Sequence, residues 1–230
     1  MNRFKLAAVV AAATIALNAF TAPLMAMSLG VGVSGAWTNI EASGSETLKT
    51  SSAVQSTSRD TVVNIPSMFI QITGPYGIVL GLEHIPFTAE IGNEFTSRSD
   101  DIKGTAETGP SVDQIVQAEI SDHNTWYLET PGYGLGDGNG LYAMVGYTEF
   151  DVITNETLGT GAAYGDASVD GTTLGIGIKT QTDHGFFVKL LGTYTDYSDI
   201  SIASTGSDAA STITADLDTT AAKVSMGYNF

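Results

Sequence analysis

The side chains able to do chemistry in this sequence are few, and their spacing does not build a catalytic centre. His84, His123 and His184 are the only histidines, and none stands at a recognisable spacing from a hydroxyl nucleophile or from another histidine. Each reads as an isolated polar side chain rather than a general base. Cysteine is absent, which removes thiolate nucleophiles, thiolate-bound metals and disulfides together. Acidic pairs occur at Asp100 with Asp101, Asp166 with Asp170 and Asp216 with Asp218. They could attract Ca2+, yet none forms the spaced array of oxygen ligands of a dedicated calcium loop, so solvated acidic segments are expected. The sequence predicts no enzyme, no cofactor and no resident metal.

What remains is a group of charged and amide side chains set inside alternating apolar stretches: Gln71, Glu83, Lys179, Lys189 and Lys223, with Glu119 or Glu129 as further candidates. The elements that must position them are strands. Residues 29–39 put Leu29, Val31, Val33, Gly35 and Trp37 on one face and Gly30, Gly32, Ser34, Ala36 and Thr38 on the other, the period-two pattern of a half-buried strand. Residues 62–73, 78–87, 141–153, 169–180, a stretch from Phe186, and 221–230 alternate in the same way. In 116–130 polar residues occupy both registers, and Trp126 and Leu128 are assigned outward. Pro66 sits inside the second strand, where it is expected at a bulge or at a membrane rim because it cannot donate to a ladder.

The face that carries the candidate residues is small and polar, which suits the interior of a narrow barrel whose outside is apolar. A carboxylate facing lipid is costly, so Glu83 is placed inside. Removing Arg3 and Lys5 from the nine basic residues leaves seven, and three of them, Lys179, Lys189 and Lys223, share that interior. Unpaired interior charge is expensive, so Lys-to-Glu pairing is expected. Eight strands leave room for little more than side chains, which favours a salt-bridged plug over a narrow polar pore. Alanine replacement of Lys179 and Lys189 separates the two: a plug loses thermal stability, a pore changes ion preference. A soluble barrel with a ligand inside would want an apolar lumen, against the inward lysines.

At the start of the chain, Arg3 and Lys5 precede an apolar run from Leu6 to Leu17, with Ala22 and Ala26 as small cleavage-site residues. Residues 1–26 therefore read as a secretory signal peptide, and 27–230 as one barrel domain. Thr14, Asn18, Thr21 and Pro23 break the run below the length of a spanning helix. No later apolar run is long, so any span must be β. Loss of the leader takes the formal charge from −16 to −18, since Arg3 and Lys5 leave with it, and so acidic a chain excludes nucleic acid as a partner. The connections alternate in length, with long polar segments at about 41–61, 88–115, 154–168 and 198–214. That is the pattern of an all-β, eight-stranded antiparallel up-and-down transmembrane β-barrel with short inner turns and long, irregular outer loops.

The stretches 67–86 (SMFIQITGPYGIVLGLEHIP), 163–179 (AYGDASVDGTTLGIGIK), 195–202 (TDYSDISI) and 221–230 (AAKVSMGYNF) carry a family likeness. Over nearly all of the sequence after residue 26, the chain resembles the small eight-stranded bacterial outer-membrane β-barrel superfamily, of the outer-membrane protein A barrel-domain type. The resemblance implies residence in the bacterial outer membrane, with outer-membrane lipid and the barrel-assembly machinery as partners. It implies that Tyr228 and Phe230 form the assembly signal, and that Trp37, Tyr76, Tyr147, Tyr194, Tyr228 and Phe230 line the membrane interfaces. Some barrels of this size are lipid-modifying enzymes that use His with Ser or an acid near the outer rim; the resemblance transfers no such residue here. The peptidoglycan-binding domain that follows the barrel in larger members is not expected here. The expected role is structural or surface-interacting, for a monomer whose acidic loops meet an extracellular partner; the alternative is a small porin-like diffusion channel.

Overall fold

The computed structural model describes residues 27–47, 54–98, 112–136, 139–157, 164–204 and 212–230. The expected signal peptide, together with Asp100 and Asp101, lies outside these residues. β1 (Ser28–Thr47) pairs antiparallel with β2 (Val54–Thr73) in an unbroken register from Ser28–Thr73 to Thr47–Val54. A tight turn at Gly74–Ile78, with Tyr76 and Gly77 at positive φ, leads to β3 (Val79–His84). β4 (Ala89–Arg98) continues that third strand along β5 (Val112–Glu129), the fourth. β6 (Tyr133–Gly136) folds back in the next turn onto β7 (Asn139–Thr157), and β8 (Ala167–Gln181) follows. β9 (Phe186–Tyr197) and its continuation β10 (Ile200–Ala203) pair with β11 (Thr212–Asn229). β11 then pairs with β1 from Gly30–Asn229 to Thr47–Thr212, closing an eight-stranded antiparallel up-and-down barrel. Closure leaves no free edge at the chain's last strand, which is why an amphipathic strand can end the fold.

The period-two patterns sort as expected. Leu29, Val31, Val33, Met68, Ile70, Ile72, Leu174, Ile176, Ile178 and Leu190 face outward and are exposed, while Ser34, Phe69, Gln71, Thr173, Phe187 and Lys189 face inward and are buried. The outside is thus apolar and the inside polar, the reverse of a soluble barrel. The lumen is narrow enough to dictate residue size. A Cβ on Gly81 would collide with the Tyr127 ring, and one on Gly32 with the Phe69 ring and the Met226 carbonyl. Val79, Tyr127, Tyr142, Met144 and Leu191 pack together in the inner half, and Phe150, Val169 and Tyr197 in the outer half.

Two expectations need correction, and a third, ambiguous one finds its cause. The segments read as irregular outer loops are in large part strand: β1 reaches Thr47, β2 starts at Val54, and β4, β10 and the first residues of β11 all lie in stretches assigned to loops. Thr-, Ser- and Val-rich sequence has good β propensity, and a ladder already formed extends it at low cost once both partners continue. Pro66 stands in no bulge: it pairs opposite Gly35 in regular register with β1. It is tolerated because pairing with β3 has stopped two residues earlier, at Met68–His84, so one side of the strand needs no donor there. The double register of the fourth strand has a local cause. A bulge between Ser121 and Asn124, with Asp122 at φ 51°, shifts the phase, so neither alternating set keeps one face throughout. Below the bulge Trp126 is outward and Tyr127 and Glu129 are inward, as assigned.

Candidate functional site: a cross-braced lumen

Strand pairing brings the inward charges into two groups that cross the barrel. In the inner group, Lys189 on β9 donates from Nζ to Glu129 Oε1 on β5 at 2.7 Å and to Gln71 Oε1 on β2 at 2.8 Å. Gln71 Nε2 donates to Asn229 Oδ1 at 3.2 Å, and Asn229 Nδ2 donates to Gln181 Oε1 at 2.9 Å, tying in β11 and β8. Lys179 enters the same group: its Nζ donates to the Thr130 carbonyl at 2.8 Å and lies 3.6 Å from Glu129 Oε2. The Lys189 ammonium also sits 5.2–5.7 Å from the ring centres of Phe69, Tyr127 and Phe187, so aromatic faces replace part of its lost hydration.

The second group lies further towards the outer end. Lys223 on β11 pairs with Glu83 Oε2 on β3 at 2.5 Å, and Ser67 Oγ on β2 donates to Glu83 Oε1 at 2.5 Å. Ser34 Oγ donates to Ser225 Oγ at 2.9 Å beside it. Level with this group, where Thr125 stands opposite Glu83, Thr125, Thr148, Thr173 and Thr195 on four neighbouring strands join their hydroxyls at 3.0, 2.8 and 2.9 Å. The geometry is that of braces: one ion pair links the seventh strand to the fourth, the other the eighth to the third. Buried charges of this kind are held because each removes the other's desolvation problem.

All five expected lumen residues, Gln71, Glu83, Lys179, Lys189 and Lys223, take part. Glu129 proves to be the acid at the centre of the inner group, whereas Glu119 lies beyond the bulge, opposite Ile153. Parity from Trp126 puts Glu119 and Glu129 on the same face, and only the bulge between Ser121 and Asn124 separates them; which lysine reaches Glu129 depends on the register across the barrel, which no local pattern reveals. Among the described residues, the buried Thr73 Oγ1, Tyr142 Oη and Glu129 Oε2 make no hydrogen bond, although Glu129 Oε2 keeps the Lys179 ammonium at 3.6 Å.

The histidines are dispersed. His84 Nδ1 lies 2.9 Å from Asn124 Oδ1, His123 is stacked on Phe150 with ring centres 5.8 Å apart, and His184 is exposed in the inner turn after β8. Asp170 accepts from Ser198, Asp218 from Tyr194 and Asp166 from the Thr154 backbone; among the described residues no group of three or more ligands is placed to hold a metal ion. The expected interfacial aromatics are all exposed: Trp37, Tyr147 and Tyr194 towards the outer end, and Tyr76, Tyr228 and Phe230 towards the inner end. Trp126, opposite Tyr147, and Phe186 are exposed alongside them and were not among the expected set. Phe230 donates its N–H to the Leu29 carbonyl at 2.7 Å and meets the Tyr228 ring edge-on at 5.0 Å.

No protein-family model matches the sequence, and no curated protein matches it either. Among solved structures, the outer membrane protease OmpT from Escherichia coli is similar with a TM-score of 0.50 at 8% identity, over 88% of this chain and 97% of that one. The outer membrane protein OprG from Pseudomonas aeruginosa aligns over 90% of this chain and 99% of its own, at 14% identity and a TM-score of 0.48. At such identity the likeness to OmpT shows the fold alone, a barrel of the outer-membrane kind. That fold leaves open whether the chain is an enzyme.

Proposed function

We propose that this chain is an outer-membrane barrel of the small, outer-membrane protein A type, in which a braced lumen makes the barrel a structural and surface-presenting element rather than a channel or an enzyme. The observation that carries this reading is the pair of crossing ion pairs, Lys189–Glu129 and Lys223–Glu83, at two levels of an interior filled by side chains. The outer face supports membrane residence. Leu190, Ile176, Val33 and Ile70 are exposed on a sheet that closes on itself through β1 and β11, the arrangement of a β-protein in lipid. Aromatic residues flank that apolar belt at both ends, as at a bilayer interface. The strand extensions beyond the belt then face outward, where an extracellular partner would be met. The dispersed histidines support a non-catalytic role: His84 meets the Asn124 amide and His123 stacks on Phe150, contacts with neither a hydroxyl nor an acid.

Single-channel recording of the chain refolded from detergent into a planar bilayer tests the reading. No discrete steps are expected, with folding checked by a heat-dependent gel shift. Reproducible steps would favour the second reading, a narrow diffusion channel. The observation on that side is the set of unpartnered buried atoms on Glu129, Tyr142 and Thr73, which offers water a foothold at the inner mouth.

A further inference from the structure

The second inner turn differs from its neighbours in what it exposes. The third inner turn, at 182–185, is polar, with Asp183 and His184 exposed, as turn chemistry favours. The second instead prolongs the wall. The ladder of β5 with β7 ends at Glu129–Met144, and β6 takes it up again from Tyr133–Leu141 to Gly136–Asn139. The strand Tyr133-Gly134-Leu135-Gly136 holds no charged side chain. Gly140, at φ 118°, permits the close approach of the two arms, since a Cβ there would collide with the Tyr133 carbonyl. A Cβ on Gly134 or on Gly136 would meet nothing, so the strand stands clear of the barrel at both. Two large apolar side chains are nonetheless displayed: Tyr133 is 65% and Leu135 71% exposed.

Register fixes the direction and the level of Tyr133. It stands opposite Leu141, which is exposed on the outward face of β7 beside Ile178. Trp126 and Tyr147 oppose each other at the outer end of the same wall, and Tyr147 lies six residues along β7 from Leu141. Six residues at about 3.3 Å each, inclined as barrel strands are, put Tyr133 about 15 Å inward of that pair, and Leu135, two residues on, about 20 Å inward. Both depths fall inside the apolar band, about 25 Å tall, of a barrel in the outer membrane. The bulge between Gly134 and Gly136 releases Leu135 from the ladder, so the hairpin tip rather than the wall carries it. A Tyr beside a Leu, continuous with the belt and free of charge, fits the boundary between headgroups and hydrocarbon. A polar partner in the periplasm would find one side-chain hydrogen-bonding group on β6, the Tyr133 hydroxyl.

We propose that β6 is a membrane foot, a short hairpin arm that sets Tyr133 and Leu135 into the inner leaflet of the bilayer and so anchors the inner end of the barrel. The proposal rests on the membrane reading above, and its test separates the two. In a background of Trp37→Phe and Trp126→Phe, which removes both native tryptophans, single reporters are placed at the tip of the foot (Leu135→Trp), at its root (Tyr133→Trp), on the belt (Leu190→Trp) and beyond the outer aromatic residues (Ser43→Trp). Each is refolded into phosphatidylcholine vesicles brominated either near the glycerol end of the acyl chains or near their methyl end, and emission is compared with unbrominated vesicles. Quenching of Leu135→Trp at least half as strong as that of Tyr133→Trp is expected, in both cases stronger from the shallow bromines than from the deep ones. Leu190→Trp should show the opposite order, and Ser43→Trp no quenching. If Leu135→Trp is no more quenched than Ser43→Trp while Leu190→Trp is quenched, the foot is overturned, its tip hangs in the periplasm, and the membrane reading survives. If Leu190→Trp is unquenched, the membrane reading fails and the foot with it. Should Leu135→Trp not fold, Leu135→Cys gives a single thiol in a chain that has no other, and a bimane label on it is read in the same vesicles against the same outcomes.

Discussion

Replacing Lys223 by Met should be more damaging than replacing Lys179 by Met, because of what it leaves behind. The Lys223 and Glu83 side chains are 15% and 11% exposed, and without the ammonium Glu83 keeps only the Ser67 hydroxyl. Breaking a buried pair by removing one partner costs about 3–5 kcal/mol. The same change at Lys179 leaves Glu129 with its closer partner, Lys189 at 2.7 Å, and removes a longer 3.6 Å contact. Its cost is then nearer one charged hydrogen bond, about 1–2 kcal/mol. Reversible urea unfolding in micelles, followed through the exposed Trp37 and Trp126, reads the difference. At a slope of about 2 kcal/mol per M, 4 kcal/mol moves the midpoint by about 2 M. The double replacement Lys223→Met with Glu83→Leu should recover most of the loss, since two well-packed apolar side chains can substitute for a buried pair at little net cost. If Lys223→Met costs less than Lys179→Met, or if the double variant is as unstable as the two singles summed, the brace is not what holds the lumen.

Two further predictions probe the faces. Leu190→Arg, at the middle of the outward face of β9, should cost about 2–4 kcal/mol in bilayers, while a charge at the rim position Tyr194 should cost about 1 kcal/mol or less; equal costs in an unfolding titration in vesicles would argue against a lipid-facing belt. Gly81→Ala drives a Cβ into the Tyr127 ring and should cost about 1–3 kcal/mol by overpacking. Tyr127→Leu in the same chain should relieve it, and an absence of rescue would show that the clash lies elsewhere.

The closed barrel was legible because two different signals agreed. Alternation assigned each face, and the small polar face of 29–39 matched the polar face carrying Gln71, Glu83 and the lysines, which only an inside-out barrel reconciles. The fourth strand resisted because one inserted residue at the bulge breaks the period-two signal on which the reading depends. The outer halves of the strands read as loops because polarity alone does not distinguish a solvent-exposed ladder from an irregular segment; Ser45 and Thr214, whose hydroxyls lie 2.8 Å apart across β1 and β11, belong to such a ladder. The partners of the lysines were not legible either. Lys189 and Glu129 are 60 residues apart in sequence, and they meet only because closure fixes which strands stand across the lumen from each other.

The long first hairpin sets a distance. Trp37 marks the outer end of the apolar belt on β1, and the strand continues from there to Thr47. Ten residues at about 3.3 Å each, inclined as barrel strands are, raise Thr47 about 25 Å above Trp37. At physiological ionic strength the Debye length is about 8 Å, so the end of β1 stands about three screening lengths beyond the outer aromatic residues. Under the membrane reading proposed above, a charge placed there is screened from the bilayer, and a Thr47→Asp variant should insert and fold like the parent.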